Sequence, residues 1–176
     1  MSRLDIGPKL GDVHGIMPNP VPPNAPSLDE TDRRILRVIQ ADASLSMDAI
    51  AERVHLSRNA CWRRIRRMEE AGVIRGRVAL VDPRTVGLPL SVFALIRTNR
   101  HDPEWLDAFE RAVRDLPEIV GAHRMSGELD YVLRVRVASV EDYDTFYQRL
   151  IKRVPLSDIS ASFVMQDIKD STVLPT

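Results

Sequence analysis

The sequence predicts an α+β protein in two parts: a three-helix head and, after a connector, a β-α-β-β-α-β sandwich. Three observations support this. Three short segments between Leu28 and Gly72 repeat apolar residues at helical spacing behind capping residues. Beyond Gly87 the pattern switches between strand-like runs and helical stripes in the order β-α-β-β-α-β. The 176 residues, 44% of them hydrophobic, suffice for two small cores.

Residues 1–27 hold half of the twelve prolines with little apolar periodicity, and read as a flexible arm of partly polyproline character. The head spans 28–75. Asp29 caps a first helix over 30–41, Asp32 sits in its first turn near the positive end of the helix dipole, and Ile35, Leu36 and Ile39 recur at helical spacing. Ser46 caps a second helix that turns Ile50, Ala51 and Val54 inward. Only His55-Leu56 then separates it from Ser57, the cap of a third helix over 58–71. That helix stops at Gly72, a residue suited to the left-handed position after a helix. A linker strand is expected over 76–88, within the run "VIRGRVALVD" and the turn Asp82-Pro83.

The second part spans 89–170. It reads as a strand over 90–98, a helix over 103–116 stopped by Pro117, strands near 119–125 and 129–138, a helix over 140–153 and a final strand near 159–168. This order matches a ferredoxin-like sandwich, a four-stranded antiparallel sheet with two helices on one face. The helices agree: Trp105, Phe109, Ala112, Val113 and Leu116 line one stripe, and Tyr143, Phe146, Tyr147, Leu150, Ile151 and Val154 another. Residues 171–176 are a short tail.

Composition narrows the function. The single cysteine, Cys61, leaves no intramolecular disulfide to form, which fits a cytoplasmic setting; it falls on the inward side of the third helix and reads as a small buried hydrophobe rather than a nucleophile. Runs such as "VFALI" fall far short of the roughly 20 apolar residues of a membrane span. The first residues lack the apolar core of a signal peptide. No Cys/His/carboxylate set has metal-ligand spacing, and no phosphate loop or nucleophile elbow occurs, so neither a metal nor a cofactor is expected; an enzyme is not expected either, on the ground of the intact arginine helix described next.

The formal charge is zero, yet Ser57 to Arg77 carries seven arginines against two glutamates. Such segregation creates a local positive field even when net charge vanishes. Stepping about 100° per residue turns Cys61, Ile65 and Met68 toward the first two helices and leaves Asn59, Arg63, Arg66 and Glu70 on the opposite side, with Arg58, Trp62 and Arg67 flanking. A solvated face with pairs such as Arg66–Glu70 would explain a lone basic helix. This one follows two others across a two-residue turn, the helix-turn-helix arrangement whose second member lies in the major groove of double-stranded DNA. Ser57 opens the helix. Arg58, Asn59, Trp62 and Arg63 would reach base edges, and Arg66 and Arg67 phosphates. Trp62 has two readings of equal weight: an anchor on a sugar or thymine methyl, or a cover for the seam between helices.

The turn "MSGELDY" (125–131) needs no ligand to explain it: Gly127 supplies positive φ, and Glu128 and Asp130 keep the corner wet. His123, on the strand before it, reads as a packed histidine, with a role in pH sensing or effector contact as the alternative.

Together, "LDETDRRILRVIQADASLSMDAIAERVHLSRNACWRRIRRMEEAGVIRG", "VDPRTVGLP" and "SGELDYVLRVRV" resemble the leucine-responsive/asparagine-synthesis regulators, the Lrp/AsnC family, from about Leu28 to Ile168. The resemblance implies a winged-type helix-turn-helix domain, a connecting strand and a ligand-sensing ferredoxin-like domain. It implies dimers formed chiefly through the C-terminal sheets, assembling further into tetramers or octamers, and an effector, usually an amino acid, bound between dimers. The function implied is a sequence-specific transcriptional regulator. The family's Gly-x-x-Asp-Tyr pattern carries an effector role onto Gly127, Asp130 and Tyr131, with Met125 and Ser126 beside them. Asp130 and the N–H groups near Gly127 would meet the ligand's ammonium and carboxylate, and Ser126 adds a hydroxyl. The long arm and the pair Met125-Ser126 depart from the family pattern. Two alternatives share the architecture: a siroheme-decarboxylase-like enzyme, and an architectural DNA protein with no effector.

Overall fold

The computed structural model of the chain describes residues 27–100 and 102–176. The expected arm lies outside these residues apart from Ser27. The described chain forms two compact units, 27–80 with Ile168–Thr176, and 81–167.

In the first unit α1 (Glu30–Ala41), α2 (Met47–Arg53) and α3 (Arg58–Glu70) match the expected helices to within a residue at each end. Each begins on its predicted cap. Asp29 Oδ1 accepts from Asp32 N–H at 2.8 Å while Asp32 Oδ2 accepts from Asp29 N–H at 3.2 Å, a reciprocal capping box; Ser46 and Ser57 accept from Ala49 and Ala60 N–H at 3.2 and 3.3 Å. Ile35, Ile39, Ile50, Val54, Cys61, Ile65 and Met68 close a core between the three helices.

The ends of α2 and α3 are built alike. Leu56 N–H donates to Ala51 C=O and His55 N–H to Glu52 C=O; Val73 N–H donates to Met68 C=O and Gly72 N–H to Glu69 C=O. Both are Schellman closures, which need a left-handed residue after the helix. Gly72 (φ 71°) supplies it as predicted, whereas the tight turn before α3 puts His55 at φ 56°. The tail is engaged: Leu174 N–H donates to Gln40 Oε1 at 2.7 Å and Arg37 Nη1 to the Thr176 carbonyl at 2.6 Å, both on α1.

The second unit contains β1 (Leu90–Arg97), α4 (Pro103–Asp115), β2 (Ile119–Arg124), β3 (Tyr131–Val137), α5 (Val140–Arg153) and β4 (Asp158–Phe163). The strands are ordered β2-β3-β1-β4, with every neighbouring pair antiparallel, the expected ferredoxin-like topology. Val92, Ala94 and Ile96 of β1 and Leu133, Val135 and Val137 of β3 face the helices, where Trp105, Phe109, Phe146 and Leu150 complete the core. Trp105 Nε1–H donates to the Pro155 carbonyl at 2.7 Å, which satisfies the one polar atom of that buried ring. No helix among the described residues is long and apolar enough to cross a membrane.

Two expectations are corrected. The linker strand over 76–88 is absent: no ladder forms there, and Val78, Leu80 and Val81 stand 79%, 75% and 62% exposed. Its apolar composition is strand-like, but it finds no partner strand among the described residues. The final strand ends at Phe163 instead of near 168. Its neighbour β1 begins at Leu90, directly after Pro89, so the last bond it can give is from Val164 N–H to Ser91 C=O.

Candidate DNA-recognition face and effector corner

The arginines of α3 divide into two groups. Arg64 and Arg67 reach back to α1. Arg64 Nη1 lies 2.6 Å from Asp29 Oδ2 and 2.9 Å from Asp32 Oδ1, and Arg67 Nη2 lies 2.5 Å from Asp32 Oδ2. Asp32 is fully buried, so its two guanidinium partners and its cap bond compensate for its lost hydration. The Asp29 carboxyl is held below the usual range by the Asp32 N–H it accepts, then by Arg64; Arg64 is pushed up chiefly by Asp29. Burial pushes the Cys61 thiol up, as fits an inert packed residue.

The leading end of α3 is different. Asn59 and Arg63 are exposed, and neither has a hydrogen-bonding or ionic partner among the described residues. Trp62 stands 54% exposed, which favours an outward role over that of a buried seam cover. Arg58 makes a solvent-exposed pair with Asp48 at 3.3 Å, and Arg66 makes the predicted i,i+4 pair with Glu70 at 2.9 Å; both are weak and exchangeable. The seven residues expected to bind DNA are therefore one cap (Ser57), three unpaired side chains (Asn59, Trp62, Arg63), two loosely paired arginines (Arg58, Arg66) and one, Arg67, already anchored to Asp32.

In the second unit the turn between β2 and β3 forms as expected, with Gly127 at φ 111° and open space where a Cβ would stand. Met125, Ser126 and Gly127 are exposed. Asp130 is partly buried, and its Oδ2 accepts from Thr98 N–H at 2.8 Å, fastening the turn to the end of β1. Its backbone also accepts from Met125 N–H and donates to Ile96 C=O. Tyr131 points into the core, 6% exposed, with its ring 4.5 Å from Phe109 and 5.8 Å from Trp105. His123 is exposed, not packed, because β2 is an edge strand.

Beside this corner, α4 and β2 enclose a groove of about 480 Å³. Sequence reasoning missed it. Phe109 and Val113 were legible only as a core stripe, and the rim residues Glu110, Arg114 and Arg124 carried no pattern that set them apart.

Comparison with known proteins identifies the architecture. A profile for the Lrp/AsnC ligand binding domain matches residues 91–174, and one for winged helix-turn-helix DNA-binding matches residues 28–75. The DNA-binding transcriptional activator DecR of Escherichia coli is 47% identical over 149 residues, spanning 84% of this chain and 98% of its own length. The chain belongs to the Lrp/AsnC family. An AsnC family transcriptional regulator from Agrobacterium tumefaciens superposes with a TM-score of 0.81 at 48% identity, covering 84% of this chain and 97% of its own. A transcriptional regulator from Neisseria meningitidis, solved as its L-Met complex, gives 0.81 at 33% identity over 85% of this chain and 97% of its own. The Lrp/AsnC family assignment agrees with both observed units: the helical head and the ferredoxin-like sheet.

Proposed function

We propose that this Lrp/AsnC family chain is a cytoplasmic, sequence-specific regulator of transcription, not an enzyme, whose assembly or DNA affinity responds to a small effector, an amino acid. The observation that carries the reading is that Asn59, Trp62 and Arg63, at the leading end of a capped third helix, stand exposed with no hydrogen-bonding or ionic partner among the described residues. Arg63 forks onto a guanine edge, Asn59 meets an adenine, and Trp62 packs on a sugar or thymine methyl. Arg58 and Arg66 exchange their weak surface pairs for phosphates, and Arg67 touches the backbone from its anchored position.

Met125, Ser126, Gly127, Asp130 and Tyr131 form the effector corner, a reading supported by the related Neisseria regulator having been solved with L-Met. The copies pair through their sheets: Phe93 on the helix-free face and Val78 and Leu80 in the linker leave apolar surface that a second copy would cover. Dimers assemble further into tetramers or octamers. Paired heads then read half-sites roughly one helical turn, about 10 base pairs, apart.

A gel-shift titration tests the DNA reading. Arg63→Ala is expected to weaken binding to the selected site by about 1–3 kcal/mol and relax one base preference. Unchanged affinity and preference would remove Arg63 from the interface, and wild-type binding that is equal on random DNA would reject sequence-specific regulation.

A further inference from the structure

We propose that Arg75 and Arg77, just past the end of α3, are a second hold on DNA: they grip the phosphate strand bordering the major groove that the helix enters. This deepens the DNA reading above and rests on it. Seven arginines lie between Ser57 and Arg77. Two of them, Arg64 and Arg67, are tied to Asp29 and Asp32, while Arg58 and Arg66 pair at the surface with Asp48 and Glu70. Arg77 meets Glu69 at 3.3 Å, both partly solvated. Only Arg63 and Arg75 lack an ionic partner among the described residues. Arg63 belongs to the base-reading end of α3. Arg75 lies outside the helix, and packing gives it no task.

Val73 and Ile74 pack against the core of the head, and both donate their N–H to the Met68 carbonyl, so the backbone is fixed up to the residue before Arg75. From Arg75 to Leu80 every residue is exposed and none joins a strand. The Arg77–Glu69 contact sets the direction of this segment. Glu69 follows Trp62 by seven residues, about two turns, and so lies on the same stripe of α3, beside Arg66. Seven residues rise roughly 10 Å. The major groove is about 12 Å wide, so a helix whose first turns meet bases brings this later part of the stripe to the bordering phosphates. The helix end by itself would repel them, because Glu69 and Glu70 add to the negative end of the dipole. Arg75 and Arg77 reverse that sign where the backbone is approached, and Arg77 exchanges its weak surface pair for a phosphate.

Phosphate contacts supply affinity without sequence preference, and each one lost lowers the slope of log affinity against log salt by about 1. The full chain is titrated by fluorescence anisotropy at several salt concentrations, on a duplex selected from a random library and on an unrelated duplex. Arg75→Ala and Arg77→Ala should each flatten the slope by about 1 per bound head, and the double variant by about 2, with equal weakening on both duplexes and an unchanged selected sequence. Arg75→Lys with Arg77→Lys should keep the wild-type slope, because a phosphate accepts either cation. Glu69→Gln should raise affinity on both duplexes, and by less when Arg77 is alanine. An unchanged slope in the double alanine variant, shown to be folded by circular dichroism, would reject the second hold and leave the base-reading role of α3 standing. Failure of the lysine variant, with a lost preference for A·T pairs beside the site, would mean insertion into the minor groove, and the phosphate assignment would fall. Equal binding of both duplexes by the wild-type chain would reject specific reading by α3, whereas the slope of the double variant would still decide the phosphate hold. Absence of any binding would reject both.

Discussion

The inner and leading parts of α3 contain the same residue type in opposite circumstances. On the inner side, Arg64 and Arg67 grip the Asp29/Asp32 pair of α1, and Asp32 is fully buried. At the leading end, Arg63 has no partner among the described residues and Trp62 is more than half exposed. Charge density alone would treat all five arginines as one surface. The difference teaches that part of a basic helix can hold the helix in place while the rest is left for a partner. A buried ion pair fixes orientation even where it adds little net stability.

The largest way to break this contrast is Asp32→Ala. It removes a cap acceptor and strands Arg64 and Arg67, both partly solvated, so a loss of about 2–3 kcal/mol is expected in urea unfolding. Asp32→Asn should lose less, because the amide oxygen still accepts. Next comes a paired test. Arg67→Ala should lower the unfolding free energy by about 1–2 kcal/mol, whereas Arg63→Ala should leave it within about 0.5 kcal/mol and act on DNA affinity alone. Equal stability losses would erase the division.

A smaller effect is expected from pH. Because the Asp29 carboxyl is lowered in the folded state, its contribution is present above the ordinary carboxylate range and is lost as pH falls through the lowered value. Thermal unfolding of wild type and Asp29→Asn should therefore differ most at neutral pH and converge in acid. A gap that widens on acidification would contradict the proposed pairing. The smallest change concerns the two helix ends: His55→Gly should stabilise the head by roughly 0.5–1 kcal/mol, since it relieves a left-handed residue that Gly72 already provides without strain at the end of α3. Denaturant melts of Gly72→Ala and His55→Gly should move in opposite directions.

Local pattern made most of the fold legible. Asp29, Ser46 and Ser57 each cap the expected helix, and the β-α-β-β-α-β order is the observed one. The failures share a cause. The run at 76–88 has strand composition but no neighbour to bond, and β4 stops where β1 has no more backbone to offer. His123 looked packable, yet its strand lies at the sheet edge. The site divides in the same way. Gly127 in a turn could be read directly, whereas the engagement of Asp130 with Thr98 depends on residues 32 positions apart.

The sequence by itself determined which segments are helices and strands, where they begin, and which stripe of each is greasy. Those properties arise from spacings of two to four residues along one chain. Only the tertiary structure decided which arginines are held and which are left free. It also showed that Tyr131 belongs to the core and that α4 and β2 leave a groove between them. These outcomes depend on the packing of elements distant in sequence: Arg67 finds Asp32 across 35 residues, a meeting set by how two helices cross and not by any local repeat.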